Sequence, residues 1–301
     1  MKVGLILPTA QNEHGSVLSF AELKYIARQA DAAGLDSLWL YDHLLHKFPG
    51  HSTVGFWEAW TMLSAIAALT ERANLGTWVL CTAFRNPALL AKMAVTLDEV
   101  SAGRLVLGLG AGWHEPEFTA FGFPFTRRVD RFEEALKIIV PLLRTGRVDF
   151  TGRYYEARDC ELVPAGPRPS GPPLMIGAFG PRMLRLTAQY ADSWNIDWLG
   201  PPERFGEHRA RLAEACTAVG RDPGTVAITG SLTIGFPELG DMPRWLRDPS
   251  QYLTGSAEDL ALGLQRYAEL GVSEVMCACY PHVPAVVTRL GEAAALLSAR
   301  G

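Results

Sequence analysis

The chain is predicted to fold as a single (β/α)8 barrel, and three observations predict it. Apolar strand patterns alternate with amphipathic helix patterns eight times over 301 residues, and no shift of composition or flexible linker divides them. The glycine-rich stretch Gly108-Leu109-Gly110-Ala111-Gly112 lacks the G-x-G-x-x-G spacing and follows the fourth strand. A doubly wound dinucleotide-binding sheet would carry that fingerprint after its first strand.

Each element follows from local pattern. Residues 3–8 are a buried strand stopped by Pro8. Ser19 caps a helix over 20–33 with Leu23, Ile26, Ala27 and Ala30 on one stripe, and Gly34 ends it. Strand 35–41 runs into Asp42-His43. Helix 56–69 leads to strand 73–81, and helix 87–100 opens on a proline whose missing N–H costs nothing at that position. Strand 104–109 comes next, then a short helix over 115–121 and a long one over 127–145. Residues 147–173 break the rhythm as an insertion, with a hairpin signal at 149–155 and a Pro/Gly-rich link behind it. Strand 174–178, helix 182–190, strand 191–196, helix 203–219 and strand 225–234 resume it. A loop at 235–255, rich in Pro, Gly and Trp, precedes helix 257–270, strand 272–278 and helix 283–299.

Composition narrows the function classes. With 48% hydrophobic residues the chain can bury a large core, and a net charge of −4 without a basic run argues against a nucleic-acid partner. No apolar run approaches the roughly 20 residues that span a bilayer, and residues 1–4 enter a strand without a signal-peptide core. A soluble, cytoplasmic protein with no membrane partner is the expectation. Five cysteines without a C-x-x-C pair fit reduced thiols, and Cys277 and Cys279 share one strand face as packing. His43, His46 and His51 lack a second ligand-rich cluster, so no metal site is expected.

Chemistry is expected at the exit of the fourth strand. Glycines at alternate positions let the backbone turn and approach a flat ligand, and Trp113-His114-Glu115 present aromatic and titratable groups at the strand's C-terminal end, where barrel enzymes keep their active sites.

Several stretches together resemble the bacterial luciferase-like superfamily. They are Asp36-Ser37-Leu38-Trp39 running into Asp42-His43, Leu75-Gly76-Thr77-Trp78-Val79, Phe84-Arg85-Asn86-Pro87-Ala88, Gly103-Arg104-Leu105 with the glycine turn, Ile176-Gly177 to Pro181, and Tyr190-Ala191-Asp192-Ser193-Trp194-Asn195. The likeness covers about residues 1–200 and is greatest to the branch that uses the deazaflavin coenzyme F420. It implies a small-molecule oxidoreductase on a luciferase-like (β/α)8 TIM barrel, with a homodimer as a compatible assembly. An FMN-dependent monooxygenase using oxygen is the alternative, and a non-catalytic flavin-binding barrel the second.

The resemblance also implies roles. His43 would stand beside the reactive ring carbon as the catalytic proton carrier. Trp78 and Val79 would form a non-proline cis peptide against the ring, joined by Gly110, Ala111 and Gly112. The amides of Ala178, Phe179 and Gly180 would hold the cofactor phosphate at a helix N-terminus, with Arg182 and Arg185 as further cations. The sugar-phosphate dehydrogenases of the branch carry a catalytic glutamate directly after the glycine turn. Trp113 stands there instead, so Trp113 and His114 are expected to line the substrate site.

Overall fold

A computed structural model describes residues 1–246 and 248–300. Eight strands form its centre: β1 (Lys2–Ile6), β2 (Ser37–Leu40), β3 (Asn74–Thr77), β4 (Leu105–Gly110), β5 (Leu174–Gly177), β6 (Ser193–Trp198), β7 (Ala227–Gly235) and β8 (Glu274–Tyr280). Each pairs in parallel with the next, and β8 pairs with β1 through Lys2 to Leu5, so the sheet closes into the expected barrel.

Helices α1 (Phe20–Ala32), α2 (Ala59–Ala67), α3 (Pro87–Val100), α4 (Glu115–Phe121), α5 (Arg128–Thr145), α6 (Pro181–Tyr190), α7 (Phe205–Ala218), α8 (Ala257–Glu269) and α9 (Pro284–Arg300) occupy the connections. Ser19 caps α1 as its sequence demands: its hydroxyl accepts from the Glu22 N–H, and the Glu22 carboxylate accepts from the Ser19 N–H at 2.8 Å. Such a cap contributes about 1 kcal/mol. No helix among the described residues is long and apolar enough to cross a membrane.

The main core lies between strands and helices and unites Leu38, Leu75, Leu107 and Ile176 of the strands with Leu63, Leu90 and Ile139 of the helices. A second, smaller cluster fills the barrel itself: Ile6, Trp39, Trp78, Met175, Met276 and Ala278. Gly76 makes room for the Trp39 ring, since a Cβ there would lie 2.2 Å from it. This plug is the floor on which the site stands.

Three connections differ from expectation. The third strand, expected unbroken over 73–81, is interrupted: β3 stops at Thr77, the Trp78-Val79 peptide is cis as the resemblance implied, and Leu80–Cys81 rejoins β4. The loop after β2 folds into a small ribbon of Leu45–His46 against Val54–Gly55, which delays α2 to Ala59. The hairpin of the insertion is longer than its turn signal, pairing Arg147–Thr151 with Glu156–Glu161.

Candidate active site

The C-terminal ends of the strands open into one cavity of about 1770 Å³. His43 (after β2), Trp78 and Val79 (after β3), Gly110, Ala111, Gly112 and Trp113 (at the end of β4), and Ala178, Phe179 and Gly180 (after β5) all line it. His114 departs from this set. Only 4% of its surface is exposed, and its Nε2 accepts the Lys47 N–H at 2.9 Å, which pins the loop behind the cavity wall. Trp113 covers it from the cavity side and is half-exposed.

His43 is oriented by an acid that sequence reasoning missed. Its Nδ1 lies 3.1 Å from Glu117 Oε1, and the second carboxylate oxygen accepts the Leu44 N–H at 2.9 Å. Glu117 sits in the first turn of α4 with 2% of its surface exposed. Burial opposes its ionisation, but the hydrogen bonds from His43 and from the Leu44 and Leu45 backbone outweigh it and hold its pKa below the ordinary carboxylate value. A carboxylate accepts only, so it fixes the proton on Nδ1 and leaves Nε2 to exchange a proton with a bound molecule. An acid in a helix's first turn reads from sequence as complementing the helix dipole, and Glu115 fits that role equally.

Around this pair the rings are close. His43 lies 4.1 Å from His46 and 5.5 Å from Trp113, centroid to centroid. Burial first, then the neighbouring imidazoles, pushes His46 down to about 3, so it stays neutral. Among the described residues no group of three or more His, Cys, Asp or Glu side chains is placed to hold a metal ion.

The bulge after β3 is held from both sides. Asp42, buried beside His43, accepts the Cys81 N–H at 2.8 Å and takes Arg85 in a two-point pair at 2.9 and 3.0 Å. On the other side Trp78 Nε1 donates to Asn195 Oδ1 at 2.9 Å. Val79 then projects onto two strand ends: a Cβ on Gly110 would lie 2.7 Å from its Cγ2, and one on Gly177 2.8 Å. The alternate glycines of β4 therefore serve the protein's own chain first. A Cβ on Gly108 would lie 2.0 Å from the Thr77 carbonyl oxygen, and Gly112 adopts a φ of 75° over Phe118 and Cys81.

A planar ring and a phosphate fit this surface. The bulge and the small residues Gly110, Ala111 and Gly112 line the cavity together, and the N–H groups of Phe179 and Gly180 find no acceptor among the described residues. A Cβ on Gly180, the N-cap of α6, would meet nothing within 4 Å, so the helix end is open to an anion. Arg182 is not free for that task. It pairs with Asp130 and, at 2.6 Å, with Glu133, and the arginines on the cavity wall among the described residues are Arg128 and Arg244 instead.

Comparison with known proteins follows the same lines. A pyrimidine monooxygenase, RutA, of Methylobacterium radiotolerans is 35% identical over 244 residues, which is 73% of this chain and 61% of that protein. A phthiodiolone/phenolphthiodiolone dimycocerosates ketoreductase of Mycobacterium kansasii is 32% identical over 225 residues, 68% of this chain and 61% of the relative. The matched stretch thus spans about three fifths of these relatives' length. An F420-dependent secondary alcohol dehydrogenase, solved with an F420–acetone adduct, superposes with a TM-score of 0.81 at 20% identity, covering 98% of both chains, and shares the fold. The family model described as luciferase-like monooxygenase matches residues 1–235. The chain belongs to the luciferase-like monooxygenase family.

Proposed function

We propose that the protein is an oxidoreductase that passes a hydride between coenzyme F420 and a small organic substrate. The observation that carries this reading is the His43–Glu117 pair, which shares one cavity with the Trp78-Val79 bulge and the open N-terminus of α6. When bound, the deazaflavin supplies the hydride acceptor or donor. The rest is the work of this chain's residues.

Trp78, Val79 and the backbone at 110–112 support the ring, and Phe179 and Gly180 take the phosphate with their amides. His43 Nε2 takes the proton from a substrate hydroxyl as hydride leaves the carbon, or returns it to the oxygen in the reverse direction. Glu117 holds the other ring nitrogen, stabilises the imidazolium that forms, and keeps the ring from turning. Asp42, through Arg85 and the Cys81 N–H, keeps the loop bearing His43 in register with the bulge.

FMN is the second reading. What favours it is the pairing of Arg182 with Asp130 and Glu133, which removes a cation from the path of F420's acidic tail while leaving a simple phosphate site intact. Anaerobic titration of the cofactor-free protein with each cofactor, followed by fluorescence, tests the choice. Micromolar F420 binding with much weaker FMN binding is expected; the opposite order would replace the hydride-transfer reading with a flavin monooxygenase.

A further inference from the structure

Three neighbouring aromatic rings and one carboxyl line the same end of the cavity. The Tyr41 and Trp78 centroids are 5.3 Å apart, and those of Trp78 and Trp198 5.4 Å with the planes at 85°. Trp78 is part of the plug inside the barrel, and Tyr41 and Tyr280 pack against that plug. Asp197, near the end of β6, lies close enough for its charge to bear on both Tyr41 and His43.

Asp197 is held in an unusual way. Its φ of 65° is left-handed, a conformation that non-glycine residues rarely keep unless their surroundings impose it. Its N–H donates to Asn195 Oδ1 at 2.9 Å, and its carbonyl accepts from Ser231 Oγ at 2.5 Å. These fix the backbone and spend none of the side chain. The carboxyl itself makes no hydrogen bond or ion pair among the described residues, in contrast to Asp42 with Arg85 and Glu117 with His43. Burial pushes its pKa up to about 6. Among the described residues the cations that line the cavity are engaged elsewhere: Arg128 lies 3.8 Å over the Phe125 ring, and Arg244 is 3.6 Å from Glu13.

An unpaired carboxyl beside aromatic faces attracts positive charge twice, once by its own charge and once through the negative faces of the rings. We infer that this end of the cavity binds a cationic nitrogen: the substrate carries a protonated amine on an apolar or aromatic body, received by Asp197 with Tyr41, Trp78 and Trp198. The inference names the substrate class of the site proposed above and rests on that site being the reactive one.

The test uses the full cofactor-free chain at pH 8, where Asp197 is ionised, with benzylammonium, benzyl alcohol and benzoate as probes followed by tryptophan fluorescence and calorimetry. Benzylammonium is expected to bind at least ~10-fold more tightly than either other probe. Asp197→Asn is expected to erase that preference while circular dichroism and Tm report an intact fold. If that variant does not fold, Trp198→Leu carries the test, with an expected loss of preference of at least ~3-fold. Equal or tighter binding of benzyl alcohol or benzoate, or a preference that survives the variant tested, would overturn the inference. The cofactor titrations report separately: failure of both cofactors to bind, with the cation preference intact, would count against the redox reading alone.

Discussion

In the proposed reaction His43 and Glu117 divide one task between two side chains, and substitutions separate their shares. His43→Ala is expected to lower turnover by ~100-fold or more, the scale of losing one acid–base group, while cofactor affinity stays within a small factor. An unchanged kcat would remove His43 from the chemistry. Glu117→Gln keeps the shape and loses the charge, so its expected cost is a kcat at least ~10-fold lower with KM nearly unchanged. Its stability effect has a defined pH sign. Because the folded-state pKa lies below the ordinary 4.5, the carboxylate's contribution is fully present above that value and is lost as pH falls through the lower folded one. The gap in Tm between wild type and Glu117→Gln should therefore narrow as pH falls below 4.5. A gap that went on widening below 4.5 would mean that Glu117 is not ionised against His43.

At the scale of elements, the segment after β3 and the ends of β4 and β5 form one device, because the Val79 side chain needs glycine at both 110 and 177. Gly110→Ala is expected to cost about 1–3 kcal/mol, typical of overpacking, and to weaken cofactor binding as the bulge shifts. Adding Val79→Ala removes the obstructing Cγ2, so the double variant should recover at least half of that loss in chemical denaturation. Strictly additive losses would show that the two positions do not press on each other. This coupling marks the limit of what the chain reveals unaided. Alternation of strand and helix is readable because buried parallel strands run apolar and helices show a 3.6-residue stripe; both signals are local. The spacing of the glycines is also readable, but their reason is not, since the atoms that need the space come from Val79, Thr77 and Phe118 on other segments. Glu117 and Arg182 teach the same lesson. Their partners lie 74 and about 50 residues away, and no pattern around either residue announces them. His114, read as a cavity residue by its place after the glycine turn, is rotated inward to hold the Lys47 amide.

For the whole molecule, the question is whether the chain folds as one unit, as its uninterrupted rhythm predicts. The family model matches residues 1–235, close to the end of β7, and leaves out β8, α8 and α9. Those last elements close the ring. β8 pairs with β7 at seven positions, Thr229 to Gly235, and with β1 at four, Lys2 to Leu5. They also bring Met276 and Ala278 into the barrel plug beneath the site, and Tyr280 and His282 to the cavity wall. Without them β1 and β7 would become open edges, each with a row of unpaired N–H and carbonyl groups beside a stripped apolar face. A chain ending at residue 235 is therefore expected to show no cooperative thermal transition, to bind a hydrophobic dye and to associate, and to bind neither F420 nor FMN. The full chain should unfold in one transition that both circular dichroism and tryptophan fluorescence report at the same temperature. A shortened chain that melted cooperatively would instead make 1–235 a unit of its own, with the last quarter an addition to a barrel already able to stand.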